Sequence, residues 1–544
     1  MNAHCGTGMR ARGIMSAAFT PLCLYMSVLW GMLIASLPMS VHAQQREMQL
    51  SLREATAFAL QGNLEIQIAG LTPRIREAQV AEEKGIFNVE ARGIVRASDS
   101  RLLETSNTFR EPAVRGLVGQ DNSQEQQIAL GVSQLTPYGG TYEVEVSQNH
   151  LDTTRTTTAT EEAIRANRLP LTAAPRTEFF RGEVRITGNQ PLLRNFGSHI
   201  TKTQILIAQN NLYSSKEEFR QQVIAVASRV QQTYWELVFR RQDLEVIRQQ
   251  RASAQRLLEQ IRKQVAVGTM APLEVVQAET NIARADERIL VAENAVRAAE
   301  DRLKRVMNLS LVGEFADVVI LPTDAPQYAD SVLDQNEQIR QALDNRTDLI
   351  QAKLELENQQ ITLVFDKNQA LPRLDLEASF RINGIDTKFT TSFGEFDPRN
   401  RYRWDVGLVF RYPLANQQAK SRVEQSRIAV QQQILRIQNL EENVITEVRA
   451  AVRDVVTNAQ RIQASRVARR LAEKQLEAEE KKLQVGLATV FTVLQFQDEL
   501  SIERSNEINA LTEYLRALVR LEEVKSTLLQ TYSIVLQPDG PRLP

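Results

Sequence analysis

The chain carries one long pattern twice, and that doubling restricts its fold more than any single motif does. Val267-Gly268-Thr269-Met270-Ala271-Pro272-Leu273-Glu274-Val275-Val276-Gln277 aligns with Val485-Gly486-Leu487-Ala488-Thr489-Val490-Phe491-Thr492-Val493-Leu494-Gln495. Each copy lies between two very long helical stretches. Each first stretch is preceded by alternating strands that end in Pro-Leu, at Pro191-Leu192 and Pro413-Leu414. Membrane-type strands joined to helices longer than a globular domain needs point to a tube rather than a pocket. A tube transports, and nothing in it has to catalyse.

Residues 1–43 read as a secretory signal. Arg10 and Arg12 give the positive start, an apolar run follows from Ile14 to Leu37, and Val41-His42-Ala43 forms a small-residue cleavage site before Gln44. The run is long for a signal, which leaves an uncleaved anchor as the alternative; Pro21, Pro38 and the cleavage site favour removal. Both cysteines, Cys5 and Cys23, fall here, and Thr20-Pro21-Leu22 is a poor lipobox. The mature chain then has no disulfide framework and no thiol chemistry. With only His150 and His199 left, no metal site and no cofactor are expected.

Lys plus Arg (65) balances Asp plus Glu (66), so no bulk field draws nucleic acid. No apolar run of 18 or more follows residue 44, so a mature chain that spans a membrane does so as a closed β-barrel. There is no phosphate-binding loop of the Gly-x4-Gly-Lys-Ser/Thr kind and no convergent polar cluster, so no enzyme is expected.

Along the chain, Ser51-Leu52-Arg53-Glu54 is a capping box opening a helix to about Lys84, with a break expected at Pro73. Ile128, Leu130 and Val132, then Tyr142, Val144 and Val146, alternate with polar or small residues around a Pro137-Tyr138-Gly139-Gly140 turn. Polar stretches at 101–125 and 150–178 read as exposed loops. A helix of about 65 residues, roughly 100 Å long, runs to Val265, and a second runs from Pro272 to about Met307. After a linker with Pro322 and Pro326 the plan restarts. Ala342 to Leu349 echoes Ala59 to Ile66, strands occupy about 373–413, another helix of about 65 residues reaches Leu483, and a last one reaches about Gln530. The strands, about ten residues each, suit a tilted bilayer crossing; a soluble β-domain is the alternative. The divisions are a signal (1–43), a first repeat (44–320, tip at 267–272), a second repeat (321–530, tip at 485–490) and a loose tail (531–544).

The duplicated helix–strand–strand–helix–helix halves, the Pro-Leu passages and the Val-Gly tips resemble the TolC-like outer-membrane efflux and secretion channels over nearly the whole mature chain. The most specific matches are Val485-Gly486-Leu487-Ala488-Thr489 and Gln190-Pro191-Leu192-Leu193. The resemblance implies a mostly α protein with β: a homotrimer closing one transmembrane β-barrel, continued by a periplasmic α-helical coiled-coil tunnel. It implies the outer membrane of a Gram-negative bacterium, a large periplasmic portion, and outer-membrane lipid, a periplasmic adaptor and an inner-membrane pump as partners. The implied function is a passive exit duct for efflux or type I secretion. A periplasmic coiled-coil adaptor or scaffold without a barrel is the competing reading.

By the same resemblance, Val267, Gly268, Thr269, Val485, Gly486, Leu487 and Val490 form adaptor-docking tips, with Leu487 and Val490 supplying apolar contacts. Glu274, Gln277, Thr492 and Gln495 fall where the family lines its gate. Family members often place acidic residues at the last two positions, and this chain does not, which puts an acidic gate in doubt. A three-fold ring of Glu274 would favour cations, although a carboxylate in a first helical turn also has a plain dipole role. Pro191, Leu192, Pro413 and Leu414 mark the strand-to-helix passages, proline suiting a helix start. Glu143, Glu145, Asp375, Glu377 and Arg381 would face the lumen. The first half holds about 100 residues between its helices against about 40 in the second, and the sequence leaves open whether the extra hairpin, 126–149, joins the barrel.

Overall fold

A computed structural model describes residues 47–105, 117–159, 176–310, 312, 315–329, 333–394, 396–397, 399–532, 534–537 and 540–542. The expected signal segment lies outside the described residues. Helix α1 (Leu52–Gly62) opens on the Ser51 capping box, and α2 (Leu64–Lys84) follows after Asn63. The break therefore falls at Asn63 and not at Pro73, which sits inside an unbroken α2. Asn63 is extended, and its side chain accepts from the backbone N–H of Glu65 and Ile66, so it restarts the helix. Pro73 removes only one internal hydrogen bond. The second half repeats this at Arg346, between α5 (Gln335–Asn345) and α6 (Thr347–Gln369).

The two long hairpins are α3 (Thr203–Ala266) with α4 (Pro272–Val306), and α7 (Gln417–Gln484) with α8 (Val490–Val524). Arg241–Glu300 (2.7 Å), Arg248–Glu293 (2.8 Å), Arg251–Asp286 (2.9 Å) and Arg262–Glu279 (2.7 Å) form a ladder of ion pairs down the first hairpin. Most of these groups are exposed, so each contributes about 0–1 kcal/mol and mainly fixes register. Where a final helix to about Gln530 was expected, α8 stops at Val524, Ser526 takes a left-handed φ of 58°, and one further turn spans Leu528–Thr531.

Two apolar clusters follow the duplication. One joins α1, α3 and α4 around Val223, Tyr234, Leu237 and Leu303; the other joins α5, α6, α7 and α8 around Val448, Ile462, Tyr514 and Leu521. Beside the first, β1 (Glu47–Leu50) pairs in parallel with β6 (Val319–Pro322), a strand pair the sequence did not signal. Buried Tyr234 fastens it: its hydroxyl lies 2.6 Å from Asp324 Oδ2 and 3.1 Å from the Leu50 carbonyl. Burial, then Asp324, raises the phenol well above its ordinary value. Because the folded value is raised, this contribution is complete at neutral pH and is lost only above the unfolded value of about 10. Tyr234→Phe is expected to cost about 1–3 kcal/mol, read as a lower guanidinium midpoint, by leaving Asp324 with the Leu52 N–H as donor. An unchanged midpoint would contradict this.

The sheet has six strands in the order β2-β3-β4-β5-β7-β8, every neighbour antiparallel. They are β2 (Glu90–Thr105), β3 (Leu117–Leu135), β4 (Thr141–Ala159), β5 (Thr177–Pro191), β7 (Arg373–Asp386) and β8 (Tyr402–Arg411). All but β8 exceed the expected ten residues. Much of the two stretches read as loops, 101–125 and 150–178, extends β2, β3 and β4, whose backbone partners continue across them. The Thr-rich run after Asp152 is polar but β-branched, which favours strand. The hairpin of open placement, 126–149, lies within the sheet.

One face is apolar and exposed: Val95, Leu130, Val132, Val144, Val146, Ile186, Phe380, Trp404, Val406, Leu408 and Phe410. The other is charged, as alternation requires. The prolines end strands rather than start helices. Pro191 is the last residue of β5 and Pro413 follows β8, while regular helix resumes at Ser198 and Gln417. Leu192 still donates to the Leu374 carbonyl (2.8 Å), and Leu414 is exposed. In the tail expected to be loose, β9 (Val535–Gln537) pairs with β10 (Gly540–Arg542), and β10 lies beside α1.

Candidate functional site

Each long hairpin turns through the same backbone device. Gly268 and Gly486 have φ of 78° and 76°, a left-handed conformation that favours glycine. Gly268 donates to the Val265 carbonyl (3.0 Å) and Thr269 to Gln264 (2.9 Å); Gly486 donates to Leu483 (3.1 Å) and Leu487 to Lys482 (2.8 Å). This paired pattern closes a helix on a glycine and satisfies its last carbonyls. The return helices start differently. Pro272 occupies the first position of α4, whereas Thr489 caps α8, its hydroxyl accepting from the Thr492 N–H at 3.2 Å.

The exposed apolar residues at the tips are Val267, Leu273 and Val276 in the first half and Val485, Leu487 and Phe491 in the second. Leu487, at 79% exposure, is the most prominent of them. Val490 does not belong with them, contrary to the expectation from sequence. It is 1% exposed and packs with Leu257, Ile261 and Val493 between the two hairpins. At this point α8 lies against α3, and Val490 falls on the side of α8 that faces it. Leu273 and Phe491, which the tip motif did not single out, take the outward positions.

Behind the tips, α4 and α8 enclose a groove of about 500 Å³ lined by Gln277, Asn281, Arg284, Phe491, Gln495 and Asp498, among others. Two of the four residues expected at a constriction, Gln277 and Gln495, meet there. Glu274 lies outside it in the first turn of α4, and one of its carboxylate oxygens is buried without a hydrogen-bond partner. Thr492 also stays outside, its hydroxyl 2.8 Å from that of Thr489 in the cap.

Asp498 is the centre the sequence reading missed. It accepts from Arg288 Nη2 at 3.0 Å, from Gln250 of α3 and, at 3.5 Å, from Asn281 Nδ2, so one carboxylate ties α8 to both helices of the other hairpin. Helical spacing was the available signal. Steps of three and four from Gln277 reach Asn281, Arg284 and Arg288, and one step from Gln495 reaches Asp498.

At the other end of the helices, the charged face of the sheet is ordered in rows. Arg92, Glu145, Arg185, Arg381 and Arg403 occupy one register level; Glu90, Glu143 and Asp405 occupy the next. Arg92 pairs with Glu145 (3.2 Å), Arg185 with Glu183 (2.6 Å) and Arg403 with Asp405 (3.0 Å). Of the five residues expected on this face, Glu143, Glu145, Glu377 and Arg381 share it as expected. Asp375 also lies on it, buried at the helix end and paired with Arg373. The arginines offset an acidity that those five alone would have implied. Both signs of charge are therefore interspersed on this face.

The model of a family described as outer membrane efflux protein matches residues 193–309 and 338–525. The outer membrane protein TolC of Vibrio cholerae serotype O1 is 24% identical over 310 residues, covering 55% of this chain and 67% of that protein. The Escherichia coli K12 protein of the same name is 25% identical over 288 residues, covering 51% of this chain and 57% of that one. Among solved structures, the Campylobacter jejuni CmeC outer membrane channel has a TM-score of 0.58 at 12% identity, over 88% of this chain and 86% of that chain. At that identity the likeness is one of fold.

Proposed function

Because the chain belongs to the outer membrane efflux protein family, we propose that it is the outer-membrane exit duct of a tripartite efflux or type I secretion system. It is an outer-membrane protein with a large periplasmic part. In this reading three copies close a barrel and a helical tunnel, an adaptor docks at the tips, an inner-membrane pump supplies the energy, and substrates pass without chemistry. One observation carries it. A sheet with an exposed apolar face and a charged opposite face runs directly into helices of 64 and 68 residues, roughly 100 Å each. Lipid is the environment that such a face fits, and a periplasmic scaffold would hold it in water.

The gate in this reading is the groove behind the tips, with Gln277 and Gln495 toward the axis and Asp498 as the clasp that holds α8 against α3 and α4. Hydrogen bonds to a charged group contribute about 1.5–3 kcal/mol when shielded and less at this half-exposed position. Three clasps still shift a closed–open balance severalfold. Asp498→Ala is expected to raise single-channel conductance in planar bilayers and to admit large hydrophilic antibiotics, with assembly unchanged. Asp498→Ala channels as tight as the parent would remove the clasp from the gate.

A further inference from the structure

We propose that the β3–β4 hairpin is part of the channel wall, so that three copies close one barrel of eighteen strands, β8 of each copy pairing with β2 of the next. This rests on the trimeric reading above and adds to it a strand count that the duplicated plan, with two strands in each half, does not contain. Five observations converge on it.

The hairpin is inserted and not appended. β3 pairs with β2 along the whole of β2, and β4 pairs with β5 from Thr141 to Thr153. Its apolar residues continue the outward face without a break, Val132, Val144, Ile186 and Phe380 standing at one level. Its turn is seated against the first strand-to-helix passage. Gly139 has φ of 90°, and a Cβ there would lie 2.3 Å from the Asn195 carbonyl oxygen, while Gly197 donates to the Tyr138 carbonyl at 3.3 Å. A hairpin standing above the membrane would have its turn at the opposite end.

The edges then decide the closure. β2 and β8 have no outer strand partner among the described residues, and both carry exposed apolar side chains, Val95 on β2 and Val406 and Leu408 on β8. Open sheet edges do not occur against hydrocarbon, and six strands are fewer than the eight of the smallest single-chain barrels. Six alternating strands leave β2 and β8 antiparallel to each other, so a second copy continues the alternation.

The widths also agree. Helices α2, α3, α6 and α7 lie side by side in that order and, at about 8–10 Å between axes, span roughly 32–40 Å. Six strands about 4.8 Å apart and tilted by about 40° span roughly 38 Å, where four would span about 25 Å. The wall therefore passes from helix to strand without narrowing. Eighteen strands give a backbone diameter of about 36 Å, against about 24 Å for twelve, which leaves the tips as the limit on cargo size.

Imaging the wild-type protein, extracted from outer membranes, should show eighteen strands in projection along the axis. In the full-length chain, Val95→Cys with Ile128→Cys and Val144→Cys with Ile186→Cys are expected to form disulfides within one copy. Val95→Cys with Leu408→Cys should link copies into ladders on denaturing gels. Twelve strands, with the Val95–Ile128 pair unlinked and three copies present, overturns the proposal and leaves the trimeric duct intact. A copy number other than three, from the mass of the same sample, overturns both.

Discussion

Arginine at Val406 is expected to remove the protein from the outer membrane. Val406 is the middle of the apolar row Tyr402, Trp404, Val406, Leu408, Phe410 on β8, and it is 62% exposed. A lipid-facing arginine at the bilayer midplane costs about 2–4 kcal/mol. Three copies put the total at about 6–12 kcal/mol, comparable with the whole stability of a folded domain. The control is Ser379→Arg, one strand away but on the charged face beside Asp405, where an added guanidinium meets a carboxylate. Val406→Arg should disappear from outer-membrane fractions and from heat-resistant oligomers, and Ser379→Arg should remain in both. Equal recovery of the two variants would mean that this face does not meet lipid.

The second large effect is expected at the tips. Leu487→Asp combined with Val267→Asp should abolish export while leaving the assembled protein in the membrane. Both side chains are mostly exposed and neither contributes to the packing between hairpins, so folding has little stake in them. If an adaptor covers them, each loses about 1.5–3 kcal/mol of apolar burial and buries an unpaired carboxylate as well. With both tips changed in every copy, affinity should fall at least a hundredfold. Export at the parental rate, with normal amounts of protein in the membrane, would remove docking from these residues. Val490→Asp is the wrong probe, because it places a charge in the core between the hairpins and damages the tip itself.

The long elements were legible because their signals are periodic and repeated. The limits of α3, α4 and α7 fall within a few residues of where the helical spacing and the paired Val-Gly breaks put them. Aligning Ala59 to Ile66 with Ala342 to Leu349 even sets Asn63 opposite Arg346, the two positions where the structure interrupts a helix. Pro73 is still the louder local signal, because the Asn63 cap depends on two backbone donors, Glu65 and Ile66, that are in place only once the turn has formed. Strand ends were less legible: once Thr, Gln and Asp replace valine and leucine, alternation vanishes although the ladder continues. The β1–β6 pair joins residues some 270 apart, and no local pattern announces a partner at that distance.

At the candidate site, the backbone turn was legible and the side-chain geometry only partly so. Gly268 and Gly486 follow from the chain reversal. Whether Val490 points outward depends on which helix lies against α8, and that is a tertiary fact. Asp498 escaped for a related reason. Its partners Gln250, Asn281 and Arg288 are ordinary polar residues on helix surfaces until two hairpins are packed together.

The most direct measurement is the mass of the mature protein extracted from outer membranes and corrected for bound detergent. Three protomers in one membrane-derived particle is the expected result, since only shared strands satisfy the edges of β2 and β8. A water-soluble monomer or dimer, absent from the membrane fraction, would contradict the channel and leave a periplasmic scaffold in its place.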